Sequence, residues 1–226
     1  MKTLLDNEII KVSVLPRDSD TAVICFTGVG HALGGIDVQD NEFFKISNEA
    51  TTIFVIDKER SWGNNIDFLE MRKILLPYIG GKTLHALGNS MGVFLAILAS
   101  QFFTFTSVVS FVPQYSVSKR IIPTENRWDN HVKNIKNWKY ESLEGSFDSN
   151  TKYYILAGLN NQEKRQLDLF PIQDNVHKII FEDKKLGHNV AAPLKEMGVL
   201  YEVISCCFML KPPSEIIQII TDCSTG

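Results

Sequence analysis

The chain has 226 residues, of which 44% are hydrophobic and 22% are charged, and its formal net charge is −3. This length and composition are typical of a globular protein with one domain. The scattered lysines and arginines argue against a nucleic-acid partner, because binding to a phosphate backbone needs a clustered basic surface.

Membrane and metal proteins are also disfavoured by the sequence. No apolar run approaches the ~20 residues that span a bilayer, and the four cysteines lack the spacing of a metal site. The first residues lack the apolar stretch of a signal peptide. We therefore expect a cytoplasmic protein that has no membrane span, no metal and no cofactor.

Short apolar segments rich in valine and isoleucine alternate with segments of helical periodicity along the chain. In chain order, the pattern predicts strands over residues 9–15, 21–26, 52–56, 82–87, 105–112, 152–157 and 176–181. It predicts helices over residues 66–78, 91–103, 191–210 and 215–220. Strands without strict polar alternation, separated by helices, predict a mostly parallel sheet that is covered on both faces.

The polar segment 116–150, which contains Trp128 and Trp138, interrupts this alternation. Long segments without predicted secondary structure are usually functional or disordered. We therefore predict a single α/β domain over residues 1–226, with a cap or long-loop insertion at 116–150.

The pentapeptide Gly88-Asn89-Ser90-Met91-Gly92 matches the pattern G-x-S-x-G. It follows a predicted strand and opens a predicted helix, which is the setting of a nucleophile elbow. The flanking glycines suit a tight, strained turn in which side chains would collide with neighbouring backbone. The pattern therefore predicts that the Ser90 hydroxyl stands at the top of the sheet as a nucleophile. An ordinary strand-to-helix turn with a capping serine is the structural alternative.

With this elbow and this order of elements, the chain resembles the α/β-hydrolase family over nearly its whole length. The resemblance implies an α/β-hydrolase fold, in which a mostly parallel central sheet has helices on both faces and carries a short cap insertion. It also implies that a histidine after the last strand is the catalytic base. His188, in the segment 186–189, holds that position, whereas His85 and His177 lie within strand patterns.

The resemblance places the carboxylate that orients the histidine after the strand 152–157. The sequence has Asn160 and Asn161 where an aspartate is expected. Glu163 is the nearest carboxylate and is the first candidate. Asp168 is the second, although its spacing suits the exposed face of a following helix. A serine–histidine dyad, or Asn161 as the orienting residue, stays open.

Two backbone N–H groups are expected to bind the developing oxyanion. Met91, the residue after the nucleophile, supplies one by the geometry of the elbow. The segment 26–31 resembles the family's His-Gly-x-Gly loop, and by that match Val29 supplies the other. A plain glycine turn is the alternative, and a dinucleotide site is disfavoured because the third glycine of its motif is missing.

Two further residues are candidates for the substrate pocket. Trp62 lies in a segment that resembles the family's Asp-x-Arg-Gly loop, and Gln114 ends the strand after the elbow helix. A packing role for Trp62 stays open beside the pocket role. Together the residues predict a serine hydrolase that cleaves a carboxylic ester or thioester of a small-molecule or acylated substrate through an acyl-enzyme on Ser90. An acyltransferase would use the same residues. A weakly active or inactive binding protein with a hydrolase-like fold is the alternative favoured by the missing aspartate.

Overall fold

The computed structural model describes residues 1–33, 36–182 and 188–224. In chain order, its strands are β1 (Lys2–Asp6), β2 (Ile10–Leu15), β3 (Thr21–Phe26), β4 (His31–Leu33), β5 (Ile36–Val38), β6 (Thr51–Asp57), β7 (Thr83–Asn89), β8 (Ser107–Phe111), β9 (Lys152–Gly158) and β10 (Val176–Phe181). Eight of them form one sheet in the order β1-β2-β6-β3-β7-β8-β9-β10, and β4 and β5 form a separate antiparallel pair.

The central sheet is mostly parallel. β2 pairs antiparallel with both β1 and β6, and every other pairing in this sheet is parallel. The carboxyl ends of parallel strands meet at one edge of a sheet, and ligands bind there in open α/β folds. The loops that follow β3, β7, β8 and β9 therefore lie together at this edge.

Helices cover both faces of the sheet, as the sequence predicts. They are α1 (Phe68–Ile79), α2 (Met91–Ala99), α3 (Asp129–Val132), α4 (Asn161–Leu167), α5 (Ala191–Glu196), α6 (Leu200–Phe208) and α7 (Pro213–Ser224), with a 3-10 helix at Phe44–Asn48. Apolar residues of α1 and α2 pack in one buried cluster, and those of α5, α6 and α7 pack in another on the opposite face. All nine residues of α2 are buried, which explains why that segment is apolar on every side.

The single helix predicted over residues 191–210 is wrong. The chain instead forms α5 and α6, and Gly198 lies between them with φ of +79°. A left-handed glycine ends a helix, because other residues pay a steric cost in this conformation. Apolar residues on both sides of Gly198 make the two helices look like one continuous pattern in the sequence.

The segment 116–150 consists mostly of turns and contains the short helix α3. It packs on the same cluster as α1 and α2 through Val117, Ile135 and Leu143, all of which are buried. Its separation from the rest of the chain as a cap stays a prediction. Across the described ranges, no helix combines the length and the apolar character that crossing a membrane requires.

Candidate active site

Ser90 lies between the end of β7 and the start of α2 in a strained conformation, with φ of +55° and ψ of −119°. The two flanking glycines are required by close packing. A Cβ atom on Gly88 would lie 2.4 Å from the backbone of Gly92, and one on Gly92 would lie 2.1 Å from the carbonyl oxygen of Phe26. Strain of this kind at a serine after a strand is the geometry of a nucleophile elbow.

His188 is hydrogen-bonded to Ser90, with 2.7 Å between its Nε2 atom and the serine Oγ atom. Its ring also contacts Trp128, at 5.5 Å between ring centroids. The preceding residues 183–187, including part of the predicted 186–189 loop, lie outside the described residues. His85 has other partners: its ring bonds Ser107 in the sheet and stacks on Phe208.

Glu163 lies in the first turn of α4, and its Oε1 atom is 2.9 Å from the Nδ1 atom of His188. Asn160 is the N-cap of this helix, because its side chain accepts hydrogen bonds from the N–H groups of Gln162 and Glu163. The asparagine therefore starts the helix that carries the carboxylate to the histidine. The Glu163 side chain is fully buried, and its Oε2 atom has no partner among the described residues.

The structure does not bring the other two candidates for this position to His188. Asp168 is exposed at the end of α4 and pairs with Lys164, at 2.8 Å between Nζ and Oδ2. Asn161 is the first residue of the helix, where Glu163 rather than Asn161 contacts the histidine ring. Chain order alone does not separate these candidates from Glu163. The helix does, because only every third or fourth side chain of a helix points to the same side.

Arg127, from the segment 116–150, was not predicted and contacts this carboxylate directly. Its Nη1 atom donates to Glu163 Oε1 and lies 3.4 Å from His188 Nδ1. Its Nε and Nη2 atoms donate to the two oxygens of Glu125, at 2.9 and 2.6 Å. The guanidinium group is 14% exposed, and the Glu125 and Glu163 carboxylates are almost completely buried.

Gln166, on the same helix as Glu163, attaches this segment to the site. Its Oε1 atom accepts from the N–H groups of Tyr115 and Ser116, and its Nε2 atom donates to Glu125 at 2.9 Å. The Gln166 side chain is fully buried. No periodicity marks Arg127 or Gln166 in the sequence. The spacing Asn160-x-x-Glu163 does resemble a helix start, and it is the signal that places Glu163 in a first turn.

The loop after β3 approaches the elbow closely. A Cβ atom on Gly28 would lie 2.9 Å from the carbonyl oxygen of Asn89. Within the described part of the chain, the Val29 N–H has no hydrogen-bond acceptor. The N–H of Met91 also lacks an intrahelical partner, because Met91 is the first residue of α2. One predicted donor thus lies on the loop after β3 and the other at the start of α2, directly after Ser90.

The buried carboxyl group of Glu42 lies between these two loops. Its Oε1 atom accepts from the Gly28 N–H at 3.3 Å, and the Asn89 side chain donates to it as well. Burial raises the pKa of Glu42 to about 7, although the two hydrogen bonds oppose this shift. Sequence reasoning missed Glu42, because a single glutamate in a polar loop carries no motif.

Gln114 and Trp62 form a second hydrogen-bonded chain to the serine. The Gln114 Nε2 atom lies 3.3 Å from Ser90 Oγ, and the indole N–H of Trp62 donates to Gln114 Oε1 at 2.6 Å. Both side chains are fully buried. Both residues thus belong to a buried hydrogen-bonded core beside Ser90, and their place in a substrate pocket stays a prediction.

Asp57 holds the loop that presents Trp62. Its Oδ2 atom accepts from the N–H and hydroxyl of Ser61 and from the N–H of Gly63, at 2.9 to 3.2 Å. Burial raises the pKa of Asp57 to about 6 against these three hydrogen bonds. Over the described residues, no three histidine, cysteine or acidic side chains gather in a way that would hold a metal ion.

A serine hydroxyl bonded to an imidazole, whose other nitrogen bonds a carboxylate, is the arrangement that makes serine a nucleophile. The Nε2 atom of His188 faces the hydroxyl, and Glu163 favours a proton on Nδ1. The arrangement is therefore suited chemically to attack on a carbonyl carbon.

No protein-family model matches the chain, and no curated protein matches it. Solved structures do. The capsule O-acetyltransferase of Neisseria meningitidis serogroup A is 12% identical with a TM-score of 0.60, and the match covers 90% of this chain and 93% of that chain. The Glycosylation Associate Protein (Gap123) complex from Streptococcus agalactiae is 11% identical with a TM-score of 0.63, over 89% of this chain and 45% of that chain.

An acylaminoacyl peptidase from Pyrococcus horikoshii is also similar, with 14% identity and a TM-score of 0.52 over 81% of this chain and 36% of that chain. At these identities the likeness concerns the fold. The chain has an α/β-hydrolase fold, as its sequence predicts.

Proposed function

We propose that this chain is a serine hydrolase that cleaves a carboxylic ester or thioester of a small-molecule or acylated substrate through an acyl-enzyme on Ser90. The observation that carries the proposal is the hydrogen-bonded series from Ser90 Oγ to His188 Nε2, at 2.7 Å, and from His188 Nδ1 to Glu163, at 2.9 Å. Both distances lie within the range of nucleophile, base and orienting residue in a working serine enzyme.

In the first half of the reaction, the Ser90 Oγ atom bonds to the carbonyl carbon of the substrate while its proton passes to His188 Nε2. The carbonyl oxygen becomes an oxyanion, which accepts hydrogen bonds from the Val29 and Met91 N–H groups. The intermediate then collapses, the bond to the leaving oxygen or sulfur breaks, and His188 returns the proton to the leaving group. The product is an acyl ester on Ser90.

In the second half, water takes the place of the leaving group. His188 accepts a proton from the water as its oxygen bonds to the acyl carbon, and collapse of this second intermediate expels Ser90 Oγ, which regains the proton. Glu163 stabilises the imidazolium cation in both halves. The ion pair with Arg127 supports this role, because it holds the buried carboxylate in position beside His188.

Labelling with a fluorophosphonate probe tests the proposal directly. We expect the native protein to be labelled, and labelling to be lost in Ser90→Ala and His188→Ala. Ser205→Ala and His177→Gln are matched controls on α6 and β10 that should label as the native protein does. If the folded native protein does not label, the catalytic proposal fails, and a binding function becomes the better hypothesis.

An acyltransferase is the second candidate. It is supported by the similarity to an O-acetyltransferase that extends over nearly the whole of both chains, although the identity is 12%. In this case an acceptor hydroxyl, rather than water, attacks the acyl group on Ser90. The two functions are distinguished by adding alcohols or sugars during turnover of p-nitrophenyl acetate. Transfer to the acceptor supports the acyltransferase, and release of free acetate alone supports the hydrolase.

A further inference from the structure

A cavity of about 660 Å³ lies beside the candidate active site, between the loop after β6 and the segment that contains α3. Polar and charged side chains line most of it. Its lining residues are Lys58, Glu59, Arg60, Ser61, Asn65, Asn130, His131, Lys133, Asn134 and Ile135. A volume of this size holds a small-molecule group. Below, it is called the cationic cavity.

The charges of the cationic cavity favour an anion. Three of its side chains are lysine or arginine, and one of these, Lys58, pairs with Asp6 at 2.7 Å between Nζ and Oδ1. The acidic side chain of the lining, Glu59, bonds Asn65. Arg60 and Lys133 form no ion pair with any acidic group in the ranges that the structure describes. The half-buried Arg60 donates to the carbonyl oxygens of Val29 and Lys58, so no carboxylate neutralises its charge.

Two stretches of chain connect the lining of the cationic cavity with the candidate active site. On one side, Arg60 Nε lies 3.1 Å from the carbonyl oxygen of Val29, the residue predicted to bind the oxyanion. On the other side, Asn130 follows Trp128 by two residues, and the Trp128 ring contacts His188. The Trp128 ring also lies 6.4 Å from the ring of Trp62, which bonds Gln114 beside Ser90.

We propose that the cationic cavity binds an anionic group, either a phosphate or a carboxylate, of the substrate whose acyl carbon reaches Ser90. This inference rests on the proposed function for the acyl chemistry, but the anion site itself does not depend on it. Guanidinium and ammonium groups bind phosphate and carboxylate oxygens with charge-assisted hydrogen bonds. The amides of Asn65, Asn130 and Asn134 add neutral donors around the same space.

Arg60 is the central residue of this proposal. A guanidinium group carries five N–H donors, and those of its Nη2 atom are not used in the contacts with Val29 and Lys58. An anion that bonds Arg60 is therefore held next to the loop after β3, which carries Val29. The anionic group thereby fixes one part of the substrate, so that neutral analogues bind less tightly.

Binding of simple anions to the Ser90→Ala protein tests this site without any catalysis. Pyrophosphate and inorganic phosphate represent phosphate groups, and succinate represents carboxylates, with titration calorimetry as the measurement. We expect saturable binding of at least one of the two anion types. It should weaken at least tenfold in Arg60→Met and in Lys133→Met. The type that binds more tightly identifies the group on the substrate.

Lys73→Met is the matched control, because Lys73 is an exposed lysine on α1 whose loss changes the net charge equally. Its binding should equal that of the Ser90→Ala protein alone. Arg60→Lys keeps a positive charge and serves where Arg60→Met does not fold. No saturable binding of either anion, or equal weakening by Lys73→Met, overturns the proposal. A protein that binds anions but is not labelled at Ser90 loses the proposed function and keeps the anion site.

Discussion

Arg127 donates to the same oxygen of Glu163, Oε1, that accepts the Nδ1–H of His188. One carboxylate oxygen thus joins an arginine from the segment 116–150 to the imidazole that faces Ser90. The other two donating atoms of this guanidinium bind Glu125, so that a single cation lies between two buried carboxylates. A buried charge needs such partners, because its transfer from water costs several kcal/mol.

Arg127→Met should lower both activity and stability. Loss of the cation leaves two buried carboxylates facing each other, and breaking a buried pair in this way costs about 3 kcal/mol or more. We expect kcat/KM for p-nitrophenyl acetate to fall at least tenfold, measured alongside urea unfolding. Arg72→Met, on the exposed side of α1, is the control for loss of one arginine.

Rescue by lysine separates a positioning role of Arg127 from a purely structural one. The Nη1 atom of Arg127 contacts both Glu163 and the imidazole of His188. Lysine keeps the positive charge beside the buried carboxylates but lacks the planar fork of donors. Arg127→Lys should therefore regain more of the stability than of kcat/KM, and equal recovery of both would show that Arg127 acts on stability alone.

Glu163→Gln should reduce kcat/KM by roughly a hundredfold or more. A glutamine amide can offer an N–H group to His188 Nδ1, which favours the tautomer that cannot accept the serine proton. Asp168→Asn is the matched control on the same helix, since Asp168 is exposed and pairs with Lys164. Activity within twofold of the native value is expected there. Equal losses in both variants would contradict the assignment of Glu163.

Glu42→Gln should alter the pH dependence of stability. The pKa of Glu42 is raised from 4.5 to about 7 by burial, so the folded protein holds a proton that the unfolded chain releases between these pH values. The stability that this proton contributes is complete below pH 4.5 and is lost as the pH rises to about 7. The shift corresponds to about 3 kcal/mol.

Glutamine cannot lose that proton, so the free energy of unfolding of Glu42→Gln relative to the native protein should increase from pH 4.5 to pH 8. Urea unfolding at several pH values measures it, and Glu49→Gln, an exposed position beside the 3-10 helix, is the control. If the free energy of unfolding depends on pH in the same way in Glu42→Gln and in the native protein, the pKa of Glu42 is not raised in the folded state.

Gly92→Ala should destabilise the protein by several kcal/mol. Its Cβ atom would lie 2.1 Å from the carbonyl oxygen of Phe26, a distance that only a shift of β3 or α2 relieves. Gly145→Ala is the control, because no atom lies within 4 Å of its Cβ and only the positive φ of +72° opposes it. Gly145→Ala should lower the free energy of unfolding by about 1 kcal/mol, because a residue with a side chain is strained in the left-handed conformation. Thermal unfolding compares the two.

The sequence predicts the sheet, the elbow and the pairing of Ser90 with His188 because each depends on local pattern and chain order. The strand 21–26 is found with the predicted bounds, and β10 likewise. The role of Glu163 is predicted because it is the nearest carboxylate after β9. Its burial depends on α4, and the N-cap of that helix is Asn160, which stands where an aspartate was expected.

Other features depend on tertiary contacts and leave no local signal. Arg127 reaches Glu163 from a segment of turns without periodicity, and Glu42 is buried only because two loops close over it. The break at Gly198 is the exception, since a glycine inside an apolar helical pattern is a recognised warning of a helix end. The N-terminal strand β1 pairs antiparallel at the edge of the sheet, where a short polar segment gives a weak strand pattern.

The single short helix α4 carries both Glu163 and Gln166, and this has a consequence for how the protein can be altered. Gln166 binds backbone groups at the start of the segment 116–150 and the side chain of Glu125, so the same seven residues align the base and anchor that segment. Residues that line the proposed anion site lie after Arg127 in the chain, so we expect that they can be exchanged while Glu125, Arg127 and α4 keep their contacts around Glu163 and His188. The stretch that would read the substrate and the stretch that holds the proposed reaction centre are thus adjacent in the chain but separate in their contacts.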